Sequence, residues 1–243
     1  SLHSNDGGDS IVIHGDLLLN GHDLSLQAET ITIADGVTVS TSLITGQAGG
    51  ITLNGHTITL GAGAKLLAQG SSVAASGDIA INAVDDTSLW TPGFDIDISD
   101  VDIVLSAGAQ IKGRDVTLLA TADNRQVSGA GGMTGEVLNL IGNVLEGLTT
   151  FEVTLSYEQV FSKIDLQLGS VIEARDFIAW ASSYGKIQAS PLASVVGGFA
   201  VGVIRSEAVV SVAGQVTTTG DMLVKATTDH WLDVVNDNTA VKG

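Results

Sequence analysis

The sequence predicts an all-β fold: a right-handed parallel β-helix, a three-sided solenoid of about 20 residues per turn, with a short helical insertion near 134–148. Three observations carry that reading. Apolar–x–apolar triplets recur every six or seven residues through the first third of the chain. Several recur again at about twenty, and Gly, Asn and Asp punctuate the gaps between them.

The triplets are Ile11-Val12-Ile13, Leu17-Leu18-Leu19, Leu24-Ser25-Leu26, Ile31-Thr32-Ile33, Val37-Thr38-Val39 and Ser42-Leu43-Ile44. In an extended strand the outer two side chains of each triplet share one face and the middle one takes the other. Ile11, Ile31 and Ile51 lie 20 apart, and Leu17, Val37, Ile58 and Ile79 lie 20, 21 and 21 apart. Three strands per turn then stack at about 4.8 Å, so that ten turns make a rod on the order of 50 Å. Gly15-Asp16, Asn20-Gly21, Asp35-Gly36 and Asn54-Gly55 supply the bends. Strands of an ordinary sandwich recur more widely, at about 8–12 residues.

A second pattern crosses the chain: Asp, apolar, any, apolar, any, Ala. It occurs from Asp23 to Ala28, Asp78 to Ala83, Asp115 to Ala120, Asp176 to Ala181 and Asp221 to Ala226. Small-residue corners precede several copies, as at Ala107-Gly108-Ala109 and Leu168-Gly169-Ser170. The phrases GAQIKGRDVTLLATADN (108–124), GSVIEARDFIAWAS (169–182) and AGQVTTTGDMLVKATTD (213–229) resemble repeats of giant filamentous surface adhesins of Gram-negative bacteria. Those are the filamentous-haemagglutinin-like and leukotoxin-type β-helical proteins. The resemblance spans nearly the whole chain and is weakest at 85–100 and 129–160. It implies an exported, extracellular or cell-surface protein used for attachment or fibre building, and it brings no catalytic residues.

Composition fits that expectation. The 243 residues include 30 Gly, 2 Pro and no Cys, and 27 acidic residues face 10 basic ones for a net charge of −17. Phosphate binding rests on Lys and Arg, so nucleic acid is an unsuitable partner. The longest apolar stretch, Leu192 to Ile204, has 13 residues with three Gly, too short to span a bilayer. The chain reads as one β-helix segment, 1–243, of a larger protein, with 133–160 as an irregular insertion of helix and strand. Within it Val137, Ile141, Val144 and Leu148 fall at helical spacing behind a capping Thr134, and Phe151, Val153, Leu155 and Tyr157 alternate as a half-buried strand. Ala193 to Ile204 is apolar on both faces, as in a strand covered on both sides.

Two groups of residues stand out as sites. Asp95, Asp97, Asp100 and Asp102 fall in the run FDIDISDVDI, with the Ile and Val residues expected inward. Hard oxygen ligands at that density make a candidate Ca²⁺ site, against the plainer reading of a solvated acidic face that discourages edge pairing. The phase of the Asp pattern turns Phe177, Ala179 and Ala181 inward and leaves Leu119, Ile178, Trp180 and Leu223 as an outward apolar stripe. The stripe is either covered by the 134–148 helix or makes a lateral contact with another solenoid. The pairs Thr30/Thr32 and Thr57/Thr59 would matter for ice binding only on one face, and a 20-residue ruler puts residues 27 apart on different faces. No nucleophile elbow, phosphate loop or His pair at metal-binding spacing occurs, and the His residues sit mostly at expected corners. The expected function is therefore a non-catalytic structural and adhesive rod, its partners a host or surface receptor or further copies of itself. A self-associating fibre subunit and a polysaccharide-active β-helical enzyme are the alternatives.

Overall fold

The computed structural model describes residues 2–3, 8–87, 94–128, 151–189 and 197–234. These form three parallel sheets that the chain visits in rotation. Sheet A holds β1 (Leu2–His3), β4 (Leu24–Gln27), β7 (Ile51–Gly55), β10 (Ile79–Thr87), β13 (Asp115–Ser128), β16 (Asp176–Ala189) and β19 (Met222–Val234). Sheet B holds β2 (Ser10–Ile13), β5 (Thr30–Ile33), β8 (Thr57–Leu60), β11 (Phe94–Leu105), β14 (Phe151–Leu166) and β17 (Gly197–Val212). Sheet C holds β3 (Leu17–Leu18), β6 (Thr38–Ser40), β9 (Lys65–Leu67), β12 (Gln110–Lys112), β15 (Val171–Ala174) and β18 (Gln215–Thr218). Each sheet pairs every strand with the one three elements later, so the molecule is a three-sided parallel β-helix.

The core is three columns of stacked apolar side chains. Leu26, Leu53, Ile81, Leu118 and Ala179 ladder on sheet A. Ile31, Ile58, Ile103 and Ile164 ladder on sheet B, and Val39, Leu66, Ile111 and Ile172 on sheet C. All are essentially inaccessible. Like stacks on like because parallel in-register strands place equivalent side chains one above another at the inter-strand spacing.

The turn length departs from the sequence ruler. Down the sheet B column, from Ile11 through Ile31, Ile58, Ile103 and Ile164 to Val210, the steps are 20, 27, 45, 61 and 46 residues. Only the first turn keeps a length of about 20. Ile51 stacks on Leu24 in sheet A rather than on Ile31, and Leu17 pairs with Val39 rather than Val37. Sheet A's seven strands make six turns, about 30 Å of height rather than 50. Added length first enters as matched loops between sheets C and A. Ala48 N donates to Ala75 O at 2.9 Å and Ser71 N to Gly46 O at 3.0 Å, so one loop lies on the next. Ser42-Leu43-Ile44, expected as a strand, belongs to this loop, and Ile44 is 85% exposed.

Later length enters as longer strands. From β10 on, sheets A and B run beyond the triangular coil and face each other as two parallel layers, where Ser162 Oγ meets Ser183 Oγ at 2.9 Å. Residues 151–160, expected in an irregular insertion, are the first part of β14, a regular strand between β11 and β17. The helix expected over 134–148 lies outside the described residues, which contain no α-helix, and it is not borne out. Val201 and Val203, expected to be covered on both sides, are 42% and 47% exposed on the outer face of β17.

The corner between sheets B and C explains one set of glycines. Gly36, Gly63, Gly108 and Gly169 occupy it in successive turns with φ of 70°, 68°, 76° and 88°, the left-handed region that penalises a Cβ. A Cβ on Gly108 or Gly169 would also meet the backbone N of the glycine below at 3.5 Å. Among the described residues no helix is long and apolar enough to cross a membrane.

Candidate functional site

The five-fold Asp pattern builds the corner entering sheet A. Asp78, Asp115, Asp176 and Asp221 follow one another up that corner, Asp78 and Asp221 just before their strands and Asp115 and Asp176 as the first residues of theirs. Arg114 Nε donates to Asp78 Oδ1 at 2.8 Å, Arg175 Nη2 to Asp115 Oδ2 at 2.6 Å, and Arg175 Nε to Asp176 Oδ2 at 3.0 Å. Asp221 N donates to Asp176 Oδ1 at 2.9 Å, and with the adjacent Arg175 this holds the Asp176 carboxyl below its usual value. Arg114, hydrogen-bonded to Asp78, is held above its own. The signal was present as Arg-Asp at 114–115 and again at 175–176.

The structure places the expected stripe on the outer side of sheet A. Phe177, Ala179 and Ala181 are fully buried, while Trp180 and Leu223 are 37% and 46% exposed and Leu119 and Ile178 are half-buried. Leu119, Trp180 and Lys225 form one row across β13, β16 and β19, and Ile178 and Leu223 form the next. The stripe is less purely apolar than its sequence implied. Lys225 Nζ lies 4.5 Å from the Trp180 ring centroid and Lys186 Nζ 4.8 Å from that of Trp231, and Trp180 Nε1 donates to Thr227 Oγ1 at 3.1 Å.

The acidic quartet is divided by the strand that carries it. β11 is continuous from Phe94 to Leu105, so Ser99, Val101, Ile103 and Leu105 face the interior and Asp97 shares their side. Ile98, expected inward, is 59% exposed, and Asp100 and Asp102 lie on its outer face. Asp95 is paired by its backbone to Ser156. Asp97 therefore does not join Asp100 and Asp102 in one site, and among the described residues no three His, Asp or Glu side chains converge as a metal site. Asp100 and Asp102 border a shallow depression of about 210 Å³ with Phe161, Lys163 and Glu207. That is below the roughly 300–1,000 Å³ usual for small-molecule sites. Burial, then the neighbouring Asp100, raises the Asp102 carboxyl above its usual value, with Lys163 opposing.

The Thr pairs lie closer than the ruler allowed. Thr30 pairs with Thr57 and Thr32 with Thr59, directly above one another on the outer face of sheet B. The rows end there, with Ser10 and Val12 below and Asp102 and Val104 above.

Between the extended parts of sheets A and B lies a polar layer that the sequence reading missed. Ser99, Asn124 and Glu158 are wholly buried there, and Ser156, Ser162 and Ser183 nearly so. The signal that could have found it is parity, since continuing β11 back from Val101 turns Ser99 and Asp97 inward. Compared with known proteins, the chain matches no protein-family model, no curated protein and no solved structure.

Proposed function

We propose that this chain is a rigid, non-catalytic segment of a large exported surface protein, an adhesive rod or the spacer that carries adhesive parts. The observation that supports this best is the self-stacking core, in which each turn is the template for the next. The polar surface serves the same end. Arg114 and Arg175 are tied into corner ion pairs, and Lys186 and Lys225 cover indole rings. The net charge of −17 keeps such a sheet-rich object soluble, and the adhesin-like phrases agree with an extracellular or cell-surface site. Electron microscopy and limited proteolysis of the purified chain test the reading. It expects isolated, protease-resistant rods without turnover of acidic polysaccharide; turnover would move the chain to the enzyme class.

A second reading has its own observation. Trp180 and Leu223 are exposed in neighbouring rows of one sheet face, a surface on which another solenoid can pack to build a fibre. Sedimentation of Trp180→Asp against the parent separates the two. Lateral assembly lost in the variant supports the fibre subunit, and a monomeric parent removes it.

A further inference from the structure

Among the described residues, five of the buried polar atoms without hydrogen-bond partners lie close together. Asp97 Oδ2, Ser99 Oγ, both amide atoms of Asn124 and Ser206 Oγ are buried and unpartnered. The pairing brings all five into the layer between sheets A and B. Asp97 and Ser99 pair with Glu158 and Val160, Ser206 follows Val160, and Asn124 pairs with Gly185.

Gly185 fixes how the two sheets face each other. A Cβ placed on it would lie 2.9 Å from Glu158 Oε1 and 3.4 Å from Val160 Cγ2. Stepping down one turn, by about 4.8 Å, carries Gly185 onto Asn124 and carries Glu158 and Val160 onto Asp97 and Ser99. The Asn124 side chain, wholly buried and inward in phase with Ala120 and Ala122, is thus aimed from sheet A at Asp97 and Ser99. Glu158, also wholly buried, sits one turn above Asp97, and its Oε1 accepts from Lys186 N at 3.2 Å. The Lys186 ammonium lies instead over Trp231 on the outer face. His230, the next residue of this column beyond Gly185, is exposed.

Two carboxylates stacked one strand apart repel each other, and a buried amide with no hydrogen-bond partner is destabilising. A cation among them removes both penalties. We propose that Asp97, Glu158, Asn124 Oδ1 and Ser99 Oγ hold a calcium ion between sheets A and B. The donors are all hard oxygens, two of them anionic and two neutral, a set suited to Ca²⁺ at about 2.3–2.6 Å. Waters complete the roughly six to eight oxygens usual for Ca²⁺, and one of them accepts from Asn124 Nδ2. The ion would bind the extended layers of the rod together, a role separate from any adhesive one.

Calcium alone is the probe, applied to the whole chain. After dialysis against calcium and desalting into chelator-treated buffer, elemental analysis should find about one calcium per chain. Millimolar calcium should raise the melting midpoint by about 5 °C or more, as expected of a ligand well above its Kd. Asp97→Asn and Asn124→Ala should each weaken binding on the order of tenfold or more, with the far-UV circular dichroism unchanged. Asn124→Leu, which fills the layer with apolar atoms, should abolish binding while leaving the chain folded. Asp100→Asn/Asp102→Asn on the outer face should bind as the parent does. A chain that retains no calcium and melts identically with and without it overturns the proposal. So does binding that survives Asp97→Asn and Asn124→Leu but is lost in the outer-face double variant. A midpoint indifferent to calcium that rises on acidification would assign the pair a shared proton instead.

Discussion

Arg175 reaches back one full turn to Asp115, 60 residues earlier in the chain, with Nη2 donating to Oδ2 at 2.6 Å. Its Nε donates to Asp176 in its own turn, so one guanidinium joins two levels of the helix. Arg114 repeats the arrangement one level below, on Asp78. The corner is nevertheless half-exposed, with Arg175 at 46% and Asp115 at 30%, and exposed ion pairs contribute little. Arg175→Ala should therefore lower the melting midpoint by no more than about 2 °C. In about 1 M salt, where the Debye length falls to about 3 Å, the difference should vanish. Calorimetry at two salt concentrations checks both.

Asp176 and Asp102 should give pH dependences of opposite sign. The Asp221 amide and Arg175 favour the ionised Asp176, so its folded pKa lies below the ordinary 3.8. Its contribution is present above about that value and is lost as pH falls through the lower folded pKa. Asp102 is raised from 3.8, so folding favours its protonated form and its ionised form is a liability at neutral pH. Asp102→Asn should stabilise at pH 7, with the gain disappearing below about pH 3.8, while Asp176→Asn should destabilise at pH 7 and be neutral in strong acid. Chemical denaturation from pH 2.5 to 7 reads both curves.

Two residues three apart on β16 should behave oppositely. Phe177 is fully buried in the column of Val116 and Met222, and Trp180 stands outward. Phe177→Ala should cost about 3–5 kcal/mol, the usual range for an aromatic removed from a core. Trp180→Ala should stay within about 1 kcal/mol. Urea titration of both variants distinguishes a core position from a surface one.

Two glycines separate close stacking from mere looseness. A Cβ on Gly77 would drive into the carbonyl of Gly49 in the turn below, whereas one on Gly15 meets nothing within 4 Å. Gly77→Ala should lower the midpoint by about 5 °C or more, and Gly15→Ala should leave it unchanged or slightly higher. Thermal melts of the two variants decide it.

Local pattern was legible in this chain and long-range pairing was not. The triplet Ile31-Thr32-Ile33 names a strand and its inward face, and the Asp pattern names the phase of Phe177 and Ala179, because alternation is a property of a few consecutive residues. Which strand lies above which depends on corner length. The loop at 41–50 adds residues without changing any triplet, so Ile31 meets Ile58 rather than Ile51, and the loop at 68–78 lengthens the next turn in the same way. The same error separated Thr32 from Thr59, which in fact pair.

The run from Phe94 to Ile103 failed for another reason. Its Ile and Val residues change parity at Ser99-Asp100, and a reading that buries every apolar residue must break the strand there. The protein keeps β11 whole, leaving Ile98 outside and Asp97 inside, where Asn124 and Glu158 make the interior polar. Parity along β11 turns Asp97 and Ser99 inward, but alternation does not reveal which residues of other strands face them, so Asn124 and Glu158 as their partners were out of reach.

Continuous-wave electron paramagnetic resonance of paired nitroxides tests the central claim, that turns of unequal length stack in parallel register. Labels at Thr32 and Thr59, 27 residues apart on neighbouring strands, should broaden each other strongly at a separation of about 5 Å between backbones. Labels at Thr32 and Thr52, 20 apart but on sheets B and A, should give the sum of the single-label spectra. Broadening in the second pair and none in the first would contradict this stacking and restore a uniform 20-residue turn.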